Sequence, residues 1–528
     1  MRRQFPCGAR RRTVDSPELD MFLGAALGPI HEPLTGRRLQ PQDMQAEVQR
    51  RVAGYLARGI ARGERVLLGF GNRVEFFADL LALWQLGVCV VPLDARLTHF
   101  EVETLARAAK ARAFVFFDAV DGELAARLDG LGVAVLDSVE VARTPPAPSA
   151  PSPGFALDDE ALILFTSGTT GNPKGVVHTH RSLRAKWTAL GQALGLEKFR
   201  RTLCLLPTHF GHGLICNALF PWLSGQELFV LPPFTPEAVM RLGALIDEHR
   251  ITFLSSVPVI WRLALKTARP PAGGTLARVF VGSAPLSAHL WREIRGWSGT
   301  RDVCNAYGIT ETGSWVAGTT VGEFEPEDGL VGVPWGANIA VTTGGSVDHP
   351  PGTGELCAPG ESGFVWLNTP SLMKGYLDRD DLTGQCVRGG WFLTGDLGFL
   401  DDRGWLVLRG RVRDEINKGG AKVYPADVEA VAERFEGVQD LCCFAVDDPH
   451  YGQNVGLALV MPEGSPERLR RLHAWLRLHL AEHQMPVRWY LLEQIPRTSR
   501  GKVNRDHIAE ACGRVAPVDL RGVFGESA

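Results

Sequence analysis

Leu162-Ile-Leu-Phe-Thr-Ser-Gly-Thr-Thr-Gly-Asn-Pro-Lys-Gly-Val-Val-His178 opens on an apolar run, passes through a loop of hydroxyls and glycines ending at Lys174, and leaves through β-forming valines. The pattern predicts a strand, a phosphate-handling loop and a second strand. Gly168, Gly171 and Gly175 permit positive φ and close backbone approach. Thr166, Ser167, Thr169 and Thr170 set hydroxyl donors beside exposed backbone N–H groups, a combination that grips polyphosphate oxygens, and Lys174 adds the charge. A Walker A loop is excluded: that pattern opens directly into a helix after its lysine, whereas Pro173 precedes Lys174 and β-formers follow it.

Around this hairpin lie 528 residues, enough for about three to four domain-sized units by the usual length prior. Hydrophobic residues at 45% and charged ones at 22% fit a soluble, folded enzyme. The net charge of -3 provides no basic field, so no nucleic-acid partner is indicated. Ten cysteines lie scattered, with Cys442-Cys443 adjacent and no C-x-x-C pair, which fits neither a disulfide framework nor a zinc site and suits a cytoplasmic, reducing compartment. The basic start, residues 1–12, lacks the apolar segment of a secretory signal and reads as a frayed tail. No run of about eighteen apolar residues occurs, so no membrane span is expected.

Residues 41–120 alternate helical and strand patterns: a helix near 44–58, strands at 65–70, 88–92 and 113–117, a helix at 74–86. Such alternation predicts a parallel, helix-flanked sheet. Proline-dense residues 144–153 read as an exposed connector. The α/β texture then resumes with a helix at 182–194, strands at 201–206, 227–231 and 277–282, and a helical run over 236–249. From 329 to 408 short glycine-punctuated β runs, including 354–357 and 404–408, predict a small β-rich lobe. Beyond Arg411 a compact α+β unit follows, with helices at 424–435 and 466–482 and strands at 441–446 and 455–460. The expected fold class is thus α/β: a large core of helix-flanked sheets with a β-rich lobe over 1–410, a hinge at 411–414, and a smaller mobile lid over 415–528.

Four further stretches carry chemistry. Gly282-Ser-Ala-Pro-Leu286 and Asn305-Ala-Tyr-Gly-Ile-Thr-Glu-Thr312 follow predicted strands, where a ligand crevice forms. Tyr307 offers a face for a purine and Glu311 a hard oxygen for Mg²⁺. Asp396, in Thr394-Gly-Asp396, is a carboxylate able to accept from ribose hydroxyls. Pro496-Arg-Thr-Ser-Arg-Gly-Lys502 presents a lysine on a glycine turn. Taken singly, Tyr307 also reads as core packing, Asp396 as a turn residue, Lys502 as a solvated charge and Glu311 as a cap.

Together these stretches resemble the adenylate-forming superfamily of acyl-CoA synthetases, adenylation domains and firefly-type luciferases. T-S-G-T-T-G-x-P-K-G, Y-G-x-T-E, T-G-D, G-R and P-R-T-x-x-G-K occur in the family's order over nearly the whole chain, with Val91-Pro-Leu-Asp94 and Gly375-Tyr376 between. The resemblance implies ATP and Mg²⁺ as cofactors, a small carboxylic acid as substrate, and acyl transfer to coenzyme A (CoA). An amide synthetase that uses an amine acceptor, a carrier-protein ligase and a silent acyl-adenylate sensor are the alternatives. A monomer or homodimer is implied.

By the same resemblance, Lys174 and its hairpin hold phosphates, with Gly282, Ser283, Ala284, Asn305, Ala306, Tyr307 and Gly308 around the nucleotide. Glu311 helps hold Mg²⁺, and Asp396 and Arg411 bind ribose. Lys502 is the adenylation lysine; with Thr310, Glu311 and His209 it completes the candidate catalytic set. The hinge falls on Arg413, where many relatives have Asp or Lys. Gly419 and Gly420 are implied in the second half-reaction, Gly420 lining the pantetheine path. In Leu206-Pro-Thr-His-Phe-Gly-His-Gly213, Phe210 stands where many relatives carry histidine; His209 and His212 flank it, and each reads either as a packed histidine or as a gating one. An α-amino acid is disfavoured because no aspartate lies there to meet an ammonium. Phe210, His212, Ser256, Val257, Gly308 and Trp315, with Ser283 and Ala306 beside them, are the expected pocket walls. These imply a hydrophobic alkyl, alicyclic or aryl acid, with Gly308 leaving the pocket floor open.

Overall fold

Every residue of Cys89–Pro92 and Arg278–Gly282 is buried, as strands covered on both faces by helices must be. The computed structural model describes residues 27–144, 154–166, 173–232, 235–320, 324–462, 464–498 and 502–519. The basic start and almost all of the proline-rich stretch lie outside those ranges.

Two large sheets form the body. In the first, Ile30–Glu32, Glu227–Val230, Arg201–Cys204, Phe253–Ser256, Arg278–Gly282 and Val303–Ile309 run parallel in that spatial order. Ser314–Gly318 and Leu330–Pro334 then turn the sheet antiparallel, and it continues into the β-rich lobe through Leu406–Arg411, Trp391–Leu400, Gly363–Asn368 and Asn338–Thr342. In the second, Ala134–Asp137, Ala113–Phe116, Arg65–Leu68, Cys89–Pro92 and Glu160–Thr166 are parallel, and the hairpin strand Lys174–Thr179 and the edge strand Gly375–Tyr376 close it antiparallel. A large apolar cluster between the sheets includes Phe76, Phe77, Phe199, Phe280, Trp222, Trp315 and Trp335. Inside it, Asp79 accepts from Tyr55 and Ser138 and meets Arg51 at 3.0 Å. Burial, opposed by Arg51, pushes its carboxyl up to about 6.

The C-terminal unit is a sheet of Ala421–Val423, Ile416–Lys418, Gly452–Val460 and Asp440–Asp448, with Arg488–Leu491 parallel beside Gly452–Val460. Its two apolar clusters draw on residues from Ile416 onward and on none from the body. Among the described residues, ion pairs to the body include Arg262 with Glu433 at 2.6 Å, Arg409 with Asp427 at 3.6 Å, and Arg434 with Asp328.

Three expected elements differ. The helical run over 236–249 is two helices, Pro236–Met240 and Leu242–Glu248, which break at Arg241. Residues 354–357 form only isolated bridges, such as Thr342 with Leu356. The last long helix stops at His479, with Glu482–Gln484 a separate 3-10 turn.

Candidate functional site

The quoted hairpin is antiparallel, Thr166 opposite Lys174. Ser167, Gly168, Thr169, Thr170 and Gly171 lie outside the described residues. Lys174 sits over the ring of Tyr376, its ammonium 5.8 Å from the centroid, because Tyr376, on the edge strand, pairs with Val176 of the hairpin. The Tyr376 phenol donates to Glu311 Oε1 at 2.7 Å; burial, then the Glu311 anion, pushes that phenol far up. Three chain segments thus bring a cation, a phenol and a carboxylate together. Glu311 stands on the 3-10 turn Thr310–Thr312, anchored by Met373 N–H to its own carbonyl at 2.7 Å. The Thr310 carbonyl faces His178 Nε2 at 2.8 Å. Since a carbonyl only accepts, Nε2 carries the proton; burial lowers this imidazole to about 4.

A second group forms where Val303–Ile309 meets the β-rich lobe. The Tyr307 phenol donates to Asp396 Oδ2 at 2.5 Å, and Arg411 Nε meets Oδ1 at 3.0 Å. Asp396 and Arg411 are register partners. Burial and the adjacent carboxylate raise the Tyr307 phenol well above its ordinary value, and Asp396 holds Arg411 firmly protonated.

In the acid-pocket stretch, His212 begins a π-helix, His212–Leu219. Its ring is buried between two hydroxyls, Ser283 at 2.8 Å from Nδ1 and Ser255 at 2.6 Å from Nε2. Burial, and then the charge of Lys502, lower it to about 3. Lys502 is exposed and stands opposite Thr498, to whose backbone N–H its carbonyl accepts at 2.8 Å. Ser283 holds φ at 66°; a Cβ on Gly282 would fall 2.4 Å from the Ala306 carbonyl, which fixes glycine there. Phe210 tilts against His212 at 5.9 Å.

Several expected pocket residues sit elsewhere. Strand alternation gives Ser255, not Ser256, to His212. Ser256 is buried with its hydroxyl unpartnered among the described residues, and Val257 packs into the separate cluster under Trp261 and Trp291. His209 turns to Asp94 at 3.6 Å. Asn305 is spent on the Leu330 carbonyl at 2.7 Å, and its neighbour Ala306 is buried. Gly308 does not leave a floor open: a Cβ would lie 2.1 Å from the Ser314 carbonyl, across a register shift in the sheet. Glycine is required by that close approach. Trp315 is buried, edge-on to His212 at 5.4 Å and to Phe280 at 4.9 Å. Ala284 is half-buried at the crevice.

Gly419 and Gly420, at φ 58° and 96°, make the two-residue turn between Ile416–Lys418 and Ala421–Val423, a geometry that glycine supplies at low cost. Nothing lies within 4 Å of where a Gly420 side chain would begin. Arg413 is exposed on the turn Val412–Asp414 and meets Asp414 at 3.5 Å.

Sequence reasoning passed over three residues. Tyr376 was visible only as half of a motif. Ser255 was lost to a one-residue phase error. Lys186 lies on the buried stripe Leu183, Lys186, Leu190, Leu194 of the helix His180–Leu194, so its i, i+3, i+7 position on an apolar face was the available signal.

Residues 34–377 match the AMP-binding enzyme family, and residues 427–502 its C-terminal domain. A 2-succinylbenzoate–CoA ligase of Geobacillus kaustophilus is 31% identical over 458 residues, 85% of this chain and 88% of that protein. The long-chain-fatty-acid–CoA ligase FadD13 of Mycobacterium tuberculosis is 28% identical, covering 96% and 98%. Among solved structures, ATP-bound MatB from Rhodopseudomonas palustris superposes with a TM-score of 0.81 at 26% identity, covering 94% and 97%.

Proposed function

The chain belongs to the AMP-binding enzyme family, and from that premise we propose that it activates a carboxylic acid with ATP and passes the acyl group to CoA as a thioester. The observation that carries this reading is the convergence of Lys174, Tyr376 and Glu311, the phenol bridging the cation and the carboxylate, on a chain matched along most of its length by the family's models.

In the first half-reaction a carboxylate oxygen attacks the α-phosphorus, the bond to the β-phosphate oxygen breaks, and pyrophosphate leaves. Two anions must meet, and Lys502 offsets the charge that develops between them. Lys174 neutralises the departing phosphates. Glu311, whose Oε1 takes the Tyr376 phenol, keeps Oε2 for a hard cation, a donor type that suits Mg²⁺; that ion, bound with ATP, would screen phosphate charge. Asp396, fixed by Tyr307 and Arg411, accepts from ribose hydroxyls. In the second half-reaction the CoA sulfur attacks the acyl carbon, its proton passes to solvent, and AMP leaves. Rotation of the lid about Arg413 would carry Lys502 away and bring the Gly419-Gly420 turn in.

Relatives named for acids as unlike as 2-succinylbenzoate and long-chain fatty acids share CoA as acceptor, which supports the acceptor more than any one acid. Phe210, His212 and Trp315 favour an acid with an apolar alkyl, alicyclic or aryl body. Pyrophosphate release over a panel of acids, followed by mass spectrometry of products with CoA supplied, tests the proposal. An amide formed in place of a thioester would move the acceptor to an amine, and no acyl-adenylate with any acid would overturn it.

A further inference from the structure

Lys186 is 1% exposed. Its ammonium donates to the Trp315 carbonyl at 2.5 Å, and its two remaining N–H groups have no acceptor among the described residues. Its neighbours are uncharged. Cys216 is a buried thiol that donates to the Gly313 carbonyl at 3.3 Å and is pushed up to about 11 by burial. His178, lowered to about 4, is a neutral imidazole. A Cβ on Gly313 would lie 3.4 Å from Lys186 Cε, so the stem runs directly beneath the Thr310–Gly313 turn. No carboxylate pairs with it among the described residues. An ammonium out of water without a counter-ion is costly, and burial lowers Lys186 to about 8, which still leaves it mostly charged at neutral pH.

Lys186 lies next to residues expected to wall the acid site. A Gly211 side chain would start 3.2 Å from Leu164 Cδ1 and 3.9 Å from Ser314 Cβ, so the 210–213 segment packs closely beside Ser314-Trp315. His212 meets the ring of Trp315, and Lys186 meets its carbonyl. The lysine therefore adjoins, through Trp315, the residues expected to wall the acid site.

We propose that Lys186 anchors a second anionic group at the far end of the acid, so that the substrate is an apolar-bodied dicarboxylic acid or a carboxylic acid bearing a sulfonate. The inference rests on the acid-activating reading above and narrows its substrate class. One carboxylate meets ATP under Lys502; the other takes the free donors of Lys186 in a dry site, where a charge-assisted bond is strong.

The test compares matched pairs, suberate with octanoate and 4-sulfobenzoate with benzoate, by pyrophosphate release, in the wild type and in Lys186→Met. Methionine keeps the length and removes the charge. The wild type is expected to favour the doubly charged member at least tenfold in kcat/KM. The variant should lose at least tenfold on that member while the singly charged acids stay within threefold, which also reports that it folds. A second measurement, the rise in Tm on adding suberate without ATP, should appear in the wild type and vanish in the variant. A wild type that prefers the singly charged acids, or a variant that loses equally on both, overturns the proposal. No pyrophosphate with any acid would remove the activation reading; a suberate-dependent Tm rise that needs Lys186 would still uphold the anion site.

Discussion

The Tyr307 phenol donates to the Asp396 carboxylate at 2.5 Å, joining residues 89 positions apart in the chain. With Arg411 on the other oxygen, the carboxylate is held rigid from two sides. Asp396→Asn is expected to raise the KM for ATP at least tenfold with a smaller effect on kcat, since it removes a charge that orders both neighbours. Initial rates against ATP at saturating acid measure this; an unchanged KM would dissociate Asp396 from the nucleotide.

Lys502→Ala should cut acyl-adenylate formation by about a hundred- to a thousandfold, the scale of losing one charge-stabilising group at a transition state. Transfer from pre-formed acyl-adenylate to CoA should survive. The two steps are read by pyrophosphate exchange and by thioester formation; exchange at near-normal rate would contradict the role.

Gly420→Leu is expected to block thioester formation while leaving adenylation largely intact. The φ of 96° makes any side chain strained there, and strain alone would weigh on both steps. Selective loss of the CoA step is therefore the informative outcome, and equal loss would place Gly420 outside the acceptor path.

Gly308→Trp, which an open pocket floor would have made a specificity switch, should instead unfold or fail to express, because its Cβ meets the Ser314 backbone. Even Gly308→Ala should cost about 1–3 kcal/mol, the range for forced overpacking. Chemical denaturation measures the loss; a fully stable Gly308→Trp with altered acid preference would restore the floor.

Stability should fall in mild acid. His178, His180 and His212 are lowered by burial to about 4, 3 and 3. The unfolded chain protonates them near 6.5, so their contribution is intact above that pH and declines as pH drops towards 4. Each costs about 1.4 kcal/mol per pH unit over that window. Thermal melts at pH 7.5, 6 and 5 should show a falling Tm; a constant one would mean the rings reach water.

The repetitive architecture was legible in the chain because its signals are local. The hairpin around Lys174, the helix ending near Gln85 and the buried strand at Cys89–Pro92 all follow from periodicity and turn residues read in place. The site was legible only as far as motifs reach. Gly308 offered two meanings, an open floor or a close backbone, and only the opposing Ser314 decides between them. Ser255 and Ser256 differ by one step of alternation, and a strand's phase is set by what it packs against. Tyr376 acquires its place through an edge strand about 200 residues from the hairpin it joins. Lys186 was the exception, written in the helix pattern as a charge on an apolar stripe.

The apolar clusters of the C-terminal unit stop at Ile416, and the ion pairs that cross to the body among the described residues include Arg262 with Glu433, Arg409 with Asp427 and Asp328 with Arg434. If the unit swings as proposed, opening these ion pairs would wet charge rather than hydrocarbon and would carry little of the heat-capacity change that buried apolar area imposes. The balance between the proposed poses would then respond weakly to temperature and more to ionic strength, which weakens the more exposed pairs, Arg409 with Asp427 and Arg434 with Asp328, over a Debye length of about 8 Å at physiological salt.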